Sequence, residues 1–586
     1  MKNVHAKSRR ANRRFRLLIL LANLMCAAGA SAETCGNVAE GEKNLYWGDL
    51  HVHTAYSLDA YAYGAIATPK EAYAFARGQP LRMANGETAV IDRPLDFTAV
   101  TDHAATYDVM YLCTDPTYQD NTYCSAIREG RGTQEKARDV FNKYLLPLVT
   151  DAPPQPPSMC AEAGIDCRAA SASQWRRTQF AANEANEPCA FTALIGYEWT
   201  ATPKGRHWHR NVIFRSEHVP DQAVDYVHFP EVTSLWRELA NHCQLEDGCD
   251  VVTIPHNINW ADGGPTFDVE SAEPEHLRNR ARYERLAEIH QEKGNSECLP
   301  KHINDSGDDC AFERLTDNAA KKRLMASEDI APDDAWRRMR SSYYRSLLGR
   351  GLRAYERSEN GLNPMMLGAI GSTDSHFGTP GKVREIDYSG GIASLWLNDE
   401  ERLALPGYNP GGLVGVWAAE NTRSAIFDAL QSRAAYATSG PRIGLRFGAT
   451  ATNACDQNQV EYLASMGGVL PTSAAAVPTF TVQANRDEKK LAAVQIIKGE
   501  FWNGMISEQT IAIAEFPEGQ DTACVSWDDV QFNAKAPAFW YARVLEEPSP
   551  RWTKALCERN ELCDRFPEGD RDIAERAWSS PIWNLP

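Results

Sequence analysis

Six short apolar runs, each closing on a carboxylate or an imidazole, constrain this chain more than any other feature. Leu45 to Leu50 leads into His51-Val-His53, and Leu95 to Thr101 leads into Asp102-His103. Phe191 to Tyr197 precedes Glu198, Val251 to Pro255 precedes His256, Leu286 to Ile289 precedes His290, and Met365 to Gly371 precedes Asp374 and His376. Runs this short, bounded by turn residues, suit buried parallel strands better than helices. Side chains at i and i+2 of a strand point the same way, so His51 and His53 are expected to converge at a strand's C-terminal end. Helical stretches at Pro69 to Arg77 and Thr133 to Tyr144 fall between the runs. Alternating strands and helices with reactive residues at the strand ends predict an α/β fold, a distorted β/α barrel with its site on one face. Long insertions, Tyr107 to Pro188 and Asn295 to Asn363, are expected as loops over that face.

After Gly378 the pattern changes. A helix is expected over Thr422 to Arg433, and alternating runs at Thr479 to Gln483, Leu491 to Ile497, Thr510 to Ala514 and Phe539 to Val544 read as antiparallel strands. The expected organisation is a barrel with insertions over 33–440, a β-sandwich-like domain over 441–545, and a tail over 546–586. The tail carries Trp552, Trp578 and Trp583, whose exposure would be unfavourable, so it is expected to pack back on the core.

Residues 1–32 read as a cleavable secretory signal: a basic stretch, the apolar segment Leu17 to Ala28, then Ala30-Ser31-Ala32. That segment is shorter than the roughly 20 apolar residues of a bilayer span, so the expectation is a secreted, periplasmic chain with no stable membrane anchor. Without the leader, 54 basic residues face 78 acidic ones, a net charge of −24. This balance argues against a nucleic-acid partner, which relies on Lys and Arg to neutralise phosphates. Fourteen cysteines remain, an even number that suggests disulfides. Cys113/Cys124, Cys160/Cys167, Cys243/Cys249, Cys298/Cys310 and Cys557/Cys563 are close enough to close short loops, with Cys455/Cys524 spanning a later region. The connectivity stays open at this level, and the lack of paired C-x-x-C spacing disfavours a structural zinc site.

Taken singly, a histidine near a strand end is more often packed than a ligand. The ordered series HxH, T-D-H, G-Y-E, I-P-H-N, E-I-H and D-S-H is another matter. Through these motifs, residues 44 to 380 resemble the polymerase and histidinol phosphatase (PHP) superfamily of metal-dependent phosphoesterases, in a secreted branch known mainly as a domain of unknown function. The branch-level similarity continues through Arg433 to Ser439, Trp540 to Val544 and Trp578 to Trp583. The resemblance implies a PHP-type barrel holding two or three divalent ions, zinc, manganese or iron. It places His51, His53, Glu198 and Asp374 on the first metal, with Glu198 bridging. Asp59 falls where the family often has a histidine ligand, and His103, His256, His290 and His376 supply imidazoles to the remaining positions.

Such a cluster activates water and neutralises phosphoryl charge, leaving the chain to provide a cationic clamp and a proton source. Of the basic segment after Glu198, Arg210 and His209 are the expected clamp, with His207 beside them, whereas Lys204 and Arg206 read as a solvated loop. Asn257 and Ser375 are polar neighbours of ligands. Asp102 either orients a ligand imidazole or caps the following turn. Trp199, Trp208 and Trp260 would wall an organic leaving group or simply pack in the core. The expected substrate is a small anionic organic molecule, a phosphate ester. An amidohydrolase cleaving C–N or lactone bonds also opens with HxH, but often carries a carboxylated lysine where this chain has Glu198. A non-catalytic exported metal-binding or adhesion module is the third reading.

Overall fold

The computed structural model describes Cys35 and residues 43–586, apart from 303–309, 315–320, 323, 327–328, 359, 389, 393, 456–460, 472–476 and 568–570. The expected leader at 1–32 lies outside the described residues. All six apolar runs form strands. β1 (Asn44–Asp49), β2 (Phe97–Val100) and β3 (Thr192–Trp199) pair in parallel, and β4 (Arg210–Phe214) and β5 (Val251–Pro255) continue the sheet antiparallel. β6 (Leu286–Gln291) and β7 (Gly368–Gly371) pair in parallel in a second sheet. β2, β3, β5, β6 and β7 are buried along their whole length, which is why they read as unbroken apolar runs. β4 has no such signature, because its apolar part is short and a basic, histidine-rich lead-in precedes it.

The result is a mixed α/β fold, and the expected barrel does not close. Among the described residues no ladder joins β5 to β6, and β1 meets the segment after β7 through one parallel bridge, Val52 to Ser375. The physical reason lies beside β1, where β8 (Leu413–Ala418) pairs antiparallel and extends the sheet outward. The strands that follow are β9 (Ala435–Thr438), β10 (Gly444–Thr450), β11 (Thr479–Asn485), β12 (Leu491–Trp502), β13 (Met505–Gln520) and β14 (Thr522–Asp528). β15 (Ala538–Glu546), β16 (Arg576–Ser579) and β17 (Ile582–Asn584) complete the set. One 12-stranded sheet runs β13-β12-β15-β16-β9-β8-β1-β2-β3-β4-β5, with β17 beside β15.

Residues 441–545 divide between two sheets. β12, β13 and β15 belong to the sheet that carries the candidate ligands, while β10, β11 and β14 build an antiparallel sheet against it. Phe447, Phe480 and Trp540 fill the space between the layers, the Phe480 and Trp540 rings lying 4.9 Å apart. The tail packs back as expected: β16 is inserted between β15 and β9, and Trp552, Trp578 and Trp583 are buried.

Helices occupy the expected stretches. α1 (Leu58–Tyr63) follows β1, and α2 (Pro69–Ala76) opens with a Thr68/Glu71 capping box, which satisfies two otherwise unpaired N–H groups. α3 (Gln134–Val140) runs into a π-helical turn, and α4 (Arg423–Gln431) is capped by the Thr422 hydroxyl. The first insertion is not a loop. Helices at Tyr107–Thr114, Thr122–Glu129 and Cys167–Ala185 pack with α3 around Val109, Leu112, Ile127 and Val140.

Seven disulfides form, the six short- and medium-range pairs anticipated above and Cys35–Cys189. The last ties the segment before β1 to the segment before β3. Such disulfide density belongs to oxidising compartments. Among the described residues no helix is long and apolar enough to cross a membrane.

Candidate metal centre

The segments carrying the candidate ligands are held together by backbone bonds and by the buried Asp49 side chain. The Asp49 carboxylate, at the end of β1, accepts from the N–H groups of His51 (3.2 Å), Thr373 (3.1 Å) and Gly381 (2.9 Å) and from the Thr373 hydroxyl (2.6 Å). The His51 carbonyl accepts from Asp374 N–H at 2.9 Å, and the Ser375 carbonyl from His53 N–H at 2.8 Å. HxH and D-S-H are thus zipped side by side. Asp374 sits at φ 58°, a left-handed conformation that Asp tolerates better than most residues.

Around Glu198, at the end of β3, the imidazoles converge. Its Oε2 lies 3.3 Å from Nε2 of both His51 and His53 and 3.6 Å from His256 Nε2. Its Oε1 lies 3.3 Å from His103 Nδ1 and 2.9 Å from His209 Nδ1. Asp374 Oδ1 is 3.1 Å from His51 Nε2 and 3.2 Å from His53 Nε2. Asp59, in the first turn of α1, places Oδ2 3.0 Å from His103 Nε2 and 3.5 Å from His376 Nε2.

Outward hydrogen bonds set which nitrogen of each ring faces the cluster. His51 Nδ1–H donates to Glu288 at 3.1 Å, and His376 Nδ1–H donates to the Asp374 carbonyl at 2.7 Å. The Ser57 hydroxyl donates to Asp102 at 2.7 Å and so accepts from His53 Nδ1–H at 2.9 Å. The Thr200 hydroxyl donates to Glu198 and accepts from His103 Nδ1–H at 2.7 Å. His209 Nε2–H donates to Thr202 at 2.7 Å while Asn257 donates to its Nδ1 at 3.0 Å. Nε2 of His51 and Nε2 of His53 stand 3.2 Å apart on the cluster side of the two rings, both 3.3 Å from Glu198 Oε2. Among the described residues the buried His256 ring has no hydrogen bond at either nitrogen.

The donor set fits divalent cations. Glu198, Asp374 and Asp59 have no Lys or Arg partner among the described residues. Burial opposes charge on His51, yet Asp374 and Glu288 outweigh it and hold its pKa well above the usual imidazole range. Burial likewise pushes Glu198 up, but His103, His209 and His256 together hold it well below the usual carboxylate range. A field that draws this much positive charge into a dry site is what a bound cation would neutralise. Imidazole with carboxylate suits zinc, manganese or iron, and outer carboxylates that fix the rings are typical of such centres. His53/His103/His376, His51/His53/Asp374 and His51/Glu198/His256 each bring their ligand atoms within 4.8 Å of one another. A fourth grouping, Asp108/Cys160/Cys167, is no candidate because the two cysteines form a disulfide.

Two expected roles are corrected by the geometry. His290 lies apart from the cluster, its ring 5.7 Å from Phe312 and 5.8 Å from Trp578, and burial pushes its pKa down to about 3. Trp578 from β16 occupies the ground His290 faces, so this is a packed imidazole. Arg210 is turned away from Glu198. In the β3–β4 register Asn211 pairs with Glu198 and Arg210 with Trp199, so alternation sends Arg210 to the opposite face. There it is buried, donating to Glu284 at 2.9 Å, to Thr266 at 3.0 Å and to the Trp208 carbonyl. The same alternation brings His209 beside Glu198, its Nδ1 2.9 Å from Oε1.

Asp102 takes the orienting role, through Ser57, and also accepts from Thr54 N–H at 2.7 Å. Asn257 holds His209. Ser375 lies between the two ligands of its motif, its hydroxyl 2.7 Å from that of Thr379. The His207 ring lies 5.0 Å from His209 and 4.9 Å from Trp260, at the margin of the cluster. Trp199 is buried in the core, and its indole donates to the Phe229 carbonyl. Glu288 is the orienting residue that sequence reasoning missed. It stands two positions before His290 in E-I-H, on the same strand face, and its signal was read as belonging to the histidine.

No curated relative matches this chain. Among solved structures, a two-domain protein from Bacteroides vulgatus, described as containing a predicted PHP-like metal-dependent phosphoesterase, aligns with 87% of this chain and 94% of its own. The identity is 11% and the TM-score 0.28, a likeness too distant to carry an argument about the site. A family model matches residues 40–521 and 512–586, and the chain belongs to that family, described as Protein of unknown function (DUF3604).

Proposed function

We propose that this protein is a secreted, metal-dependent hydrolase of phosphate esters on a PHP-type scaffold, using two or three divalent ions. The observation that carries the reading is the convergence of buried imidazole rings on the Glu198 and Asp374 carboxylates, which have no Lys or Arg partner among the described residues. In this reading His51, His53, Glu198 and Asp374 hold one ion, Asp59, His103 and His376 a second, and His256 a third that shares Glu198. When bound, such ions supply Lewis acidity toward the phosphoryl oxygens and lower the pKa of a coordinated water. The chain supplies the rest. Glu288, Asp102 through Ser57, and Thr200 lock the rings of His51, His53 and His103, so little reorganisation is needed when the ester enters. Burial of these groups excludes bulk water and strengthens every charge interaction in the site.

The test is hydrolysis by the mature protein, supplied in turn with Zn²⁺, Mn²⁺ or Fe²⁺, of chromogenic phosphomonoesters, phosphodiesters, sulfate esters and amides. Phosphate esters are expected to be cleaved at least about 10-fold faster than the others, a difference above 1.4 kcal/mol in barrier. Turnover of amides alone would replace this reading with the amidohydrolase one.

A further inference from the structure

A cavity of about 540 Å³ opens beside the cluster, with His376, Ser375 and Glu292 on the metal side and Lys382, Arg402 and Tyr388 among its other walls. A phosphate group alone would leave most of that space empty, and cavities of this size seat organic ligands. With Arg210 withdrawn to the far face, an anion entering here must find its cation elsewhere. Arg402 is engaged, 3.3 Å from Asp399 and donating to the Ser394 carbonyl. Lys382 is different. Its ammonium donates to the Asp387 backbone carbonyl, and among the described residues it makes no ion pair with a carboxylate. Burial lowers its pKa, the nearby charges of Asp387 and Glu87 offsetting this only in part. Lys382 is half-buried at the cavity wall, and a three-donor head group with one donor used on a carbonyl has two left for a ligand.

We propose that this cavity seats the organic part of the substrate and that Lys382 is its anion contact, so that the substrate class is a phosphorylated organic molecule large enough to bridge the metal cluster and Lys382. The inference deepens the phosphoesterase reading and rests on it for the reaction, though not for binding. Its test is calorimetric binding of 4-phosphonobenzoate, whose carboxylate is a second anion, and of inorganic phosphate to the metal-loaded protein, alongside turnover of 4-carboxyphenyl phosphate, for the wild type, Lys382→Met and Lys382→Arg. Lys382→Met is expected to weaken 4-phosphonobenzoate binding about 10-fold with metal content unchanged, and Lys382→Arg to restore it to within about 3-fold, as for loss and return of one charge-assisted contact. A larger loss for 4-phosphonobenzoate than for inorganic phosphate would locate the organic part in the cavity. Equal affinity in all three proteins, or no binding of either anion by the wild type, would overturn the proposal. If binding depends on Lys382 but no ester is hydrolysed, the anion site stands and the phosphoesterase reading falls. If esters are hydrolysed equally by all three, the reverse holds.

Discussion

Glu198→Ala is expected to empty the site and to lower kcat/KM on phosphate esters by at least about 10³-fold, because it removes the one carboxylate that five imidazoles share. Ala leaves Asp374 beside His51 and His53 and Asp59 beside His103 but takes the shared carboxylate from all five rings, so any cation that enters meets less negative charge. The chain is expected to stay folded, since Glu198 is one position in a strand whose ladders to β2 and β4 are made by the backbone. Glu198→Gln separates charge from shape: it keeps the volume but offers a neutral amide, and metal retention between those of wild type and Glu198→Ala is expected. The check is metal analysis after gel filtration, with circular dichroism to confirm the fold. Wild-type turnover in a folded Glu198→Ala protein would remove Glu198 from the centre of the account.

Arg210→Ala is expected to act on stability and to leave chemistry almost untouched. Breaking a buried ion pair by deleting one partner costs about 3–5 kcal/mol, chiefly through the charge left behind. Here Arg280 also pairs with Glu284 and relieves part of that burden, so a loss of about 3 kcal/mol is expected. Denaturant unfolding measures the first quantity. For the second, kcat/KM of the metal-replete, folded variant should lie within about 3-fold of wild type, against the roughly 10²-fold loss that a substrate clamp would give. A folded, fully metallated variant with such a loss would return Arg210 to the site.

These two residues show where the sequence is legible and where it stops. Strand ends could be read because a fully buried strand is an unbroken apolar run, and the first polar residue after it stands at the mouth of the fold. That logic singles out His51, His53, His103, Glu198, His256, Asp374 and His376, and the fold brings these side chains together. It misplaced Arg210 because the strand there is short and follows a polar lead-in, so the alternation separating Arg210 from His209 had no visible frame. It could not tell His290 from a ligand, since both end an apolar run. What distinguishes them is Trp578, from a strand almost 300 residues later. The open sheet was hidden for the same reason. The strand character of β8, β9 and β16 is local, but their insertion between the site strands and β15 is a long-range pairing that no local pattern announces. Six cysteine pairs were suggested by spacing, and Cys35–Cys189 was the pair left over, its partners separated by 154 residues.

The central claim is that the imidazoles around Glu198 hold divalent ions, and metal content per chain tests it most directly. The mature wild-type protein, purified without chelator and analysed by inductively coupled plasma mass spectrometry, should carry two or three equivalents of zinc, manganese or iron. The double variant His51→Ala/His53→Ala removes the two rings whose Nε2 atoms stand 3.2 Å apart and should carry at least one equivalent fewer while remaining folded. A wild-type protein that binds no divalent ion even when these metals are supplied, or a double variant that keeps the full complement, would contradict the account.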